Sequence, residues 1–175
     1  MIDMKKILYF LCILSLGCFL GSCDDTDNTV IPPTFKGFTY APSTLHPGDT
    51  VTLSAVYASK GKYCYKPRTT WRITLDTLNA ETQQYDRVTL SNQRTCSISE
   101  ENLSVRFAIP HSARPSQTCP VKFDVAFDNA VDAENQGYSL PNPTQEGYVG
   151  QFDNSVVNSL LYSHCSGSLS VKLGD

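Results

Sequence analysis

Residues 47–58 read PGDTVTLSAVYA, and the second half of that run decides the fold. Val51, Leu53, Ala55 and Tyr57 fall on one side, and Thr52 and Ser54 on the other. Strict alternation of this kind marks a half-buried strand, because successive side chains of an extended chain point to opposite faces. Pro47-Gly48-Asp49 supplies the turn before it. Proline fixes φ, glycine permits a positive φ, and aspartate caps locally.

Outward from this strand the same period recurs. Thr70–Asp76 (TWRITLD) puts Trp71, Ile73 and Leu75 on one face. Leu103–Ile109 groups Leu103, Val105, Phe107 and Ile109, and Pro120–Phe127 groups Val121, Phe123, Val125 and Phe127. Ser168–Leu173 closes with Leu169, Val171 and Leu173. Less regular strands are expected at Phe35–Tyr40, Tyr85–Leu90, Thr95–Ser99 and Gly147–Phe152. One short helix is expected near the C-terminus, capped by Asp153 or Asn154, with Val156, Val157, Leu160 and Leu161 on one face. About seven to nine short antiparallel strands, each apolar on one side, predict an all-β sandwich.

At this point the chain resembles bacterial immunoglobulin-like domains, over Phe35–Leu173. PGDTVTLSAVYA is similar to strand B of that fold, Trp71 to the opening of strand C, and VKFDVAF (121–127) to strand F. Antibody domains carry a cysteine inside B and another inside F, and neither strand interior has one here.

The N-terminus carries a different pattern. Lys5-Lys6 precedes an apolar run from Ile7 to Gly21, about 15 residues and so short of the ~20 that span a bilayer. Leu20-Gly21-Ser22-Cys23 resembles the lipobox of bacterial lipoproteins. The resemblance implies cleavage before Cys23 and a diacylglycerol on its thiol. Asp24, Asp25 and Asp27 resemble the acidic export tag of Bacteroidetes-type surface lipoproteins. The expected organisation is a signal peptide over 1–22, a lipid-anchored tether over 23–34 and one Ig-like domain over 35–175. A diacyl anchor holds a domain at a membrane without a spanning helix. The expected location is the outer membrane, facing the cell surface.

Of the seven cysteines, Cys12 and Cys18 leave with the leader and Cys23 takes lipid. Cys64, Cys96, Cys119 and Cys165 remain, and in an exported chain they imply two disulfides. Three pairings are open. The preferred one is Cys64–Cys96 with Cys119–Cys165. No CxxC is present, which removes zinc-ribbon and thioredoxin chemistry.

The net charge of −3 argues against nucleic acid, which wants a basic stripe. The stretch 60–72, KGKYCYKPRTTWR, is the exception. Lys60, Lys62, Tyr63, Tyr65, Lys66 and Arg68 sit in an expected loop between strands B and C. Cations with tyrosines suit a carboxylated glycan, a phosphate or an acidic partner surface; the plainer reading is a solvated loop. Asp128, Asp132 and Glu134 are candidate calcium ligands, although their spacing does not fit an EF-hand loop. No cofactor motif is present, nor HExxH or GxSxG. The sequence therefore predicts a non-catalytic binding or assembly module with a glycan or envelope-protein partner. A purely structural envelope lipoprotein is the alternative, and a hydrolase the third reading.

Overall fold

The computed structural model describes residues 29–130, 139–141, 144–152, 154–157 and 162–175. The leader, Cys23, Asp132 and Glu134 lie outside the described residues. The chain is all-β, with strands β1 (Thr34–Ala41), β2 (Thr50–Ser59), β3 (Cys64–Leu78), β4 (Tyr85–Thr95), β5 (Asn102–Ala108) and β6 (Thr118–Asn129). They continue with β7 (Ser139–Pro141), β8 (Gln151–Phe152), β9 (Asn154–Val157) and β10 (Tyr162–Lys172).

Two antiparallel sheets result. The smaller has the order β1-β2-β5, and the larger runs β4-β3-β6-β10-β9-β7, with β8 also pairing β10. Every apolar face read from the alternation is buried: Val51, Leu53, Ala55, Tyr57, Trp71, Ile73, Leu75, Leu103, Val105, Phe107, Val121, Phe123, Val125, Phe127, Leu169 and Val171. The Pro47–Asp49 turn forms as its residues dictate. Gly48 takes φ +94°, and Asp49 Oδ2 accepts from His46 N at 2.8 Å.

The expected helix is corrected in part. Asn154–Val157 is strand, pairing β10 through Ser163↔Val157 and His164↔Val156. Among the described residues there is no helix. Val156-Val157 is a β-branched pair, stiff at χ1 and better suited to a sheet. The candidate at Tyr85–Leu90 is part of a longer strand, with β4 pairing β3 without a break from Leu78↔Tyr85 to Arg68↔Thr95. The candidate at Thr95–Ser99 is corrected: only Thr95 is strand, and Cys96–Ser99 form the connection that follows it.

The sheets meet through aromatic rings. Phe35 and Phe38 of β1 stack on Phe152 of β8 at 4.6 Å and 4.1 Å between centroids. Phe38 also meets Trp71 edge-on at 5.8 Å, and Trp71 lies 4.4 Å from Phe123. Backbone bonds join the two layers at this edge, with Phe38 N donating to Val149 O and Val149 N to Phe38 O, both at 2.9 Å.

Two glycines admit this packing. A Cβ on Gly167 would lie 2.8 Å from the Phe38 ring and from Gln151 O. Gly150 holds φ +78°, and its Cβ would stand 2.5 Å from Ser168 O and 2.7 Å from Phe38. Gly150→Ala therefore combines backbone strain with overpacking. It is expected to destabilise by about 1–3 kcal/mol, read as a lower urea midpoint with an unchanged slope. A midpoint equal to that of the parent would contradict this packing.

Candidate functional site

The stretch expected as a loop is mostly strand. Only Lys60–Tyr63 connects β2 to β3; Cys64–Arg72 lies within β3. The alternation was hidden by a bulge. Between Tyr65, opposite Asp128, and Arg68, opposite Ala126, the register slips by one residue. Cys64 and Pro67 turn inward while Tyr65 and Lys66 are both exposed, and an extra residue of this kind re-aims side chains.

Tyr63 (φ 60°) and Lys66 (φ 46°) hold left-handed conformations. Each costs about 1–2 kcal/mol for a residue with a Cβ. Two such residues within four positions mark this segment as locally strained.

The cations are largely spoken for. Lys60 Nζ donates to Ile98 O at 2.7 Å, and Lys62 Nζ stands 4.8 Å over the Tyr63 ring. Arg68 pairs with Asp128. One step along, Arg72 Nη1 reaches Asp124 Oδ2 at 3.0 Å, and His164 Nε2 lies 3.9 Å from Asp124 Oδ1. These pairs are solvent-exposed, so each stabilises by about 0–1 kcal/mol. Their interest is their position on the outer face of the larger sheet.

On that face Tyr65, Asp128 and Tyr162 share one row across β3, β6 and β10. Tyr65 and Tyr162 are 44% and 42% exposed. Sequence reasoning missed Asp124, Tyr162 and His164 as partners of this face. Extending the alternation of SLSVKL backwards through SHCSG would have put Tyr162 and His164 outward.

Asp128 is thus tied to Arg68 rather than open for calcium. No group of three or more His, Cys, Asp or Glu among the described residues is placed to hold a metal ion.

The cysteines depart from expectation. Cys64, Cys96, Cys119 and Cys165 are all buried, and no disulfide joins any two of them. Three of them gather at one end of the core. Tyr57, whose buried Oη has no hydrogen-bond partner, has its phenol pKa pushed up by desolvation and by the nearby Cys96, Glu100, Cys165 and Cys64. Cys119 stands elsewhere. It pairs with Val171, whereas Cys165 pairs with Val125. Residues 119 and 125 lie about 20 Å apart along β6 at strand rise. A disulfide tolerates no more than about 7 Å between Cα atoms. The expected Cys119–Cys165 bond is therefore incompatible with this register, and so are two disulfides.

Comparison with protein-family models, with curated proteins and with solved structures finds no match to this chain.

Two outcomes follow for Cys119. Alkylation in denaturant without reductant should label it fully, and protection would contradict the register. Burial, with a smaller contribution from Asp76, raises its thiol pKa from 9.0 to about 11. Folding favours the neutral thiol, so this stabilisation is complete below about pH 9 and is lost as pH rises through about 11. Urea midpoints should fall over that window, and fall less in Cys119→Ala. Identical alkaline curves would contradict the assignment.

Proposed function

We propose that this chain is an exported, non-catalytic binding module with an immunoglobulin-like sandwich, held by lipid on Cys23 at the outer membrane and facing the cell surface. The Ig-like reading is supported by strand order. Taking β1, β2, β3, β4, β5, β6 and β10 as A, B, C, C′, E, F and G gives sheets A-B-E and C′-C-F-G. In this reading the strand after C stays beside C instead of joining E. Trp71 on C is fully buried, where that fold packs its tryptophan.

The anchored reading rests on the Leu20–Cys23 pattern and fits the geometry of the body. Within the stretch expected as tether, Val30 is fully buried. Ile31 is bridged to Lys62 by bonds of 3.1 Å and 2.8 Å. Six residue steps separate Cys23 from Thr29, at most about 20 Å of chain. A lipid on Cys23 would keep the domain close to its membrane.

The binding reading rests on one observation. Tyr63 and Lys66 are held at positive φ inside the segment that also presents Tyr65, Lys66 and Arg68 on the surface. Strained backbone of this kind concentrates at functional sites. The partner class is a glycan or an envelope protein.

Intact-mass analysis of the membrane-fraction product tests the anchor. The expected chain begins at Cys23 and carries a diacylglycerol, and Cys23→Ala should leave an unprocessed precursor. A bare Cys23, or a retained leader in the wild type, would contradict it.

A further inference from the structure

Among the described residues, the outer face of the larger sheet carries a ridge with a depression on either side of it. The ridge is built from β3 and β6: the Arg68–Asp128 pair, then Arg72–Asp124 with His164 beside it. On the β4 side lies a shallow groove of about 310 Å³, lined by Arg68, Thr70, Gln93 and Thr95. On the β10 side lies another of about 280 Å³, lined by Lys122, Asp124, Ser166 and Ser168. Tyr65 and Tyr162 stand at one end, on either side of Asp128 and two strands apart, about 10 Å.

The geometry points to a binding platform for an uncharged polysaccharide, laid across the strands with sugar rings on Tyr65 and Tyr162 and hydroxyls on the ridge between them. The inference rests on the binding-module reading of the chain and names its ligand class and residues.

Three features select this occupant. The first is charge. Arg68 and Arg72 each already face a carboxylate, so an anionic surface, a membrane or a nucleic acid gains little from these two, and only Lys66 and Lys122 at the margins add positive charge. A hydroxyl can both donate to Asp124 or Asp128 and accept from Arg68 or Arg72, so paired charges suit a ligand made of hydroxyls. The second is the aromatic spacing. Tyrosines offer flat apolar faces at low entropic cost, with a polar tip, and two strand spacings separate rings that can stack on two sugars of one chain. The third is the lining. The flanking grooves are rich in serine, threonine and glutamine, which bond neutral polar ligands without adding charge. The bulge at Tyr65–Lys66 has a role in this reading: it turns both side chains outward at the head of the platform.

Affinity electrophoresis of the full chain tests the inference. The gels would contain soluble β-1,3-glucan, galactomannan or α-mannan, with polygalacturonate as the anionic control. At least one neutral polysaccharide should retard the protein, and the retardation should persist in high salt. Tyr65→Ala and Tyr162→Ala should each weaken it by about tenfold, while Tyr65→Phe keeps it. Both tyrosines are exposed, so unchanged melting curves should confirm that the variants fold. The proposal is overturned by no retardation in any neutral gel, by tyrosine variants that bind like the parent, or by binding confined to polygalacturonate or to anionic phospholipid vesicles. The mass of the Cys23 product is read separately. An unlipidated chain that still binds glucan would therefore sink the anchor alone, and a lipidated chain that binds none would sink the platform alone.

Discussion

Phe38 reaches across the gap between the two sheets into the aromatic centre of the core. Its ring stacks on Phe152 at 4.1 Å and meets Trp71 and Phe123 edge-on at 5.8 Å and 5.6 Å. Phe38 comes from the three-stranded sheet and the other three rings from the larger one. Aromatic pairs of these geometries add about 0.5–1.5 kcal/mol beyond the area they bury. Burial itself is the larger contribution, since fully burying one such side chain is worth about 1.5–3 kcal/mol. The ring cluster also explains what surrounds it. Gly150 and Gly167 are glycines because Phe38 occupies the space a Cβ would need. β8 stays with β10 because Phe152 is held between Phe35 and Phe38.

A core closed from one side of each sheet leaves the other side free. On β3, β6 and β10 the inward residues are nearly all apolar and the outward ones nearly all polar. The two sets are coupled only by the strand period, so chemistry can change outside without disturbing the packing inside. The row of Tyr65, Asp128 and Tyr162 depends on the core in one respect: its register is fixed by which residues must turn inward. A slip of one residue would bury Asp128 and expose Phe127.

Much of this was legible in the sequence, because strands with one wet face write their period plainly. Val51 to Tyr57 and Val121 to Phe127 needed only the alternation. Three things were not legible. The bulge at Lys66 broke the period of β3, so a strand bearing Tyr65 and Arg68 read as a loop. The short strand at Asn154–Val157 carries too few residues to tell a helical from an extended period. Cysteine spacing along the chain says nothing of strand register, and register is what separates Cys119 from Cys165. The candidate face was half visible. Tyr65, Lys66 and Arg68 stood out by composition, whereas Asp124, Tyr162 and His164 joined them only through pairing across β6.

A double-mutant cycle between Phe38 and Trp71 tests the central claim most directly, using Phe38→Leu, Trp71→Leu and the pair, each unfolded in urea. Direct contact across the sheets predicts that the two losses fail to add, with a coupling of about 1 kcal/mol. Losses that add to within about 0.3 kcal/mol would mean that the rings do not meet, and that the sheets are held together in some other way.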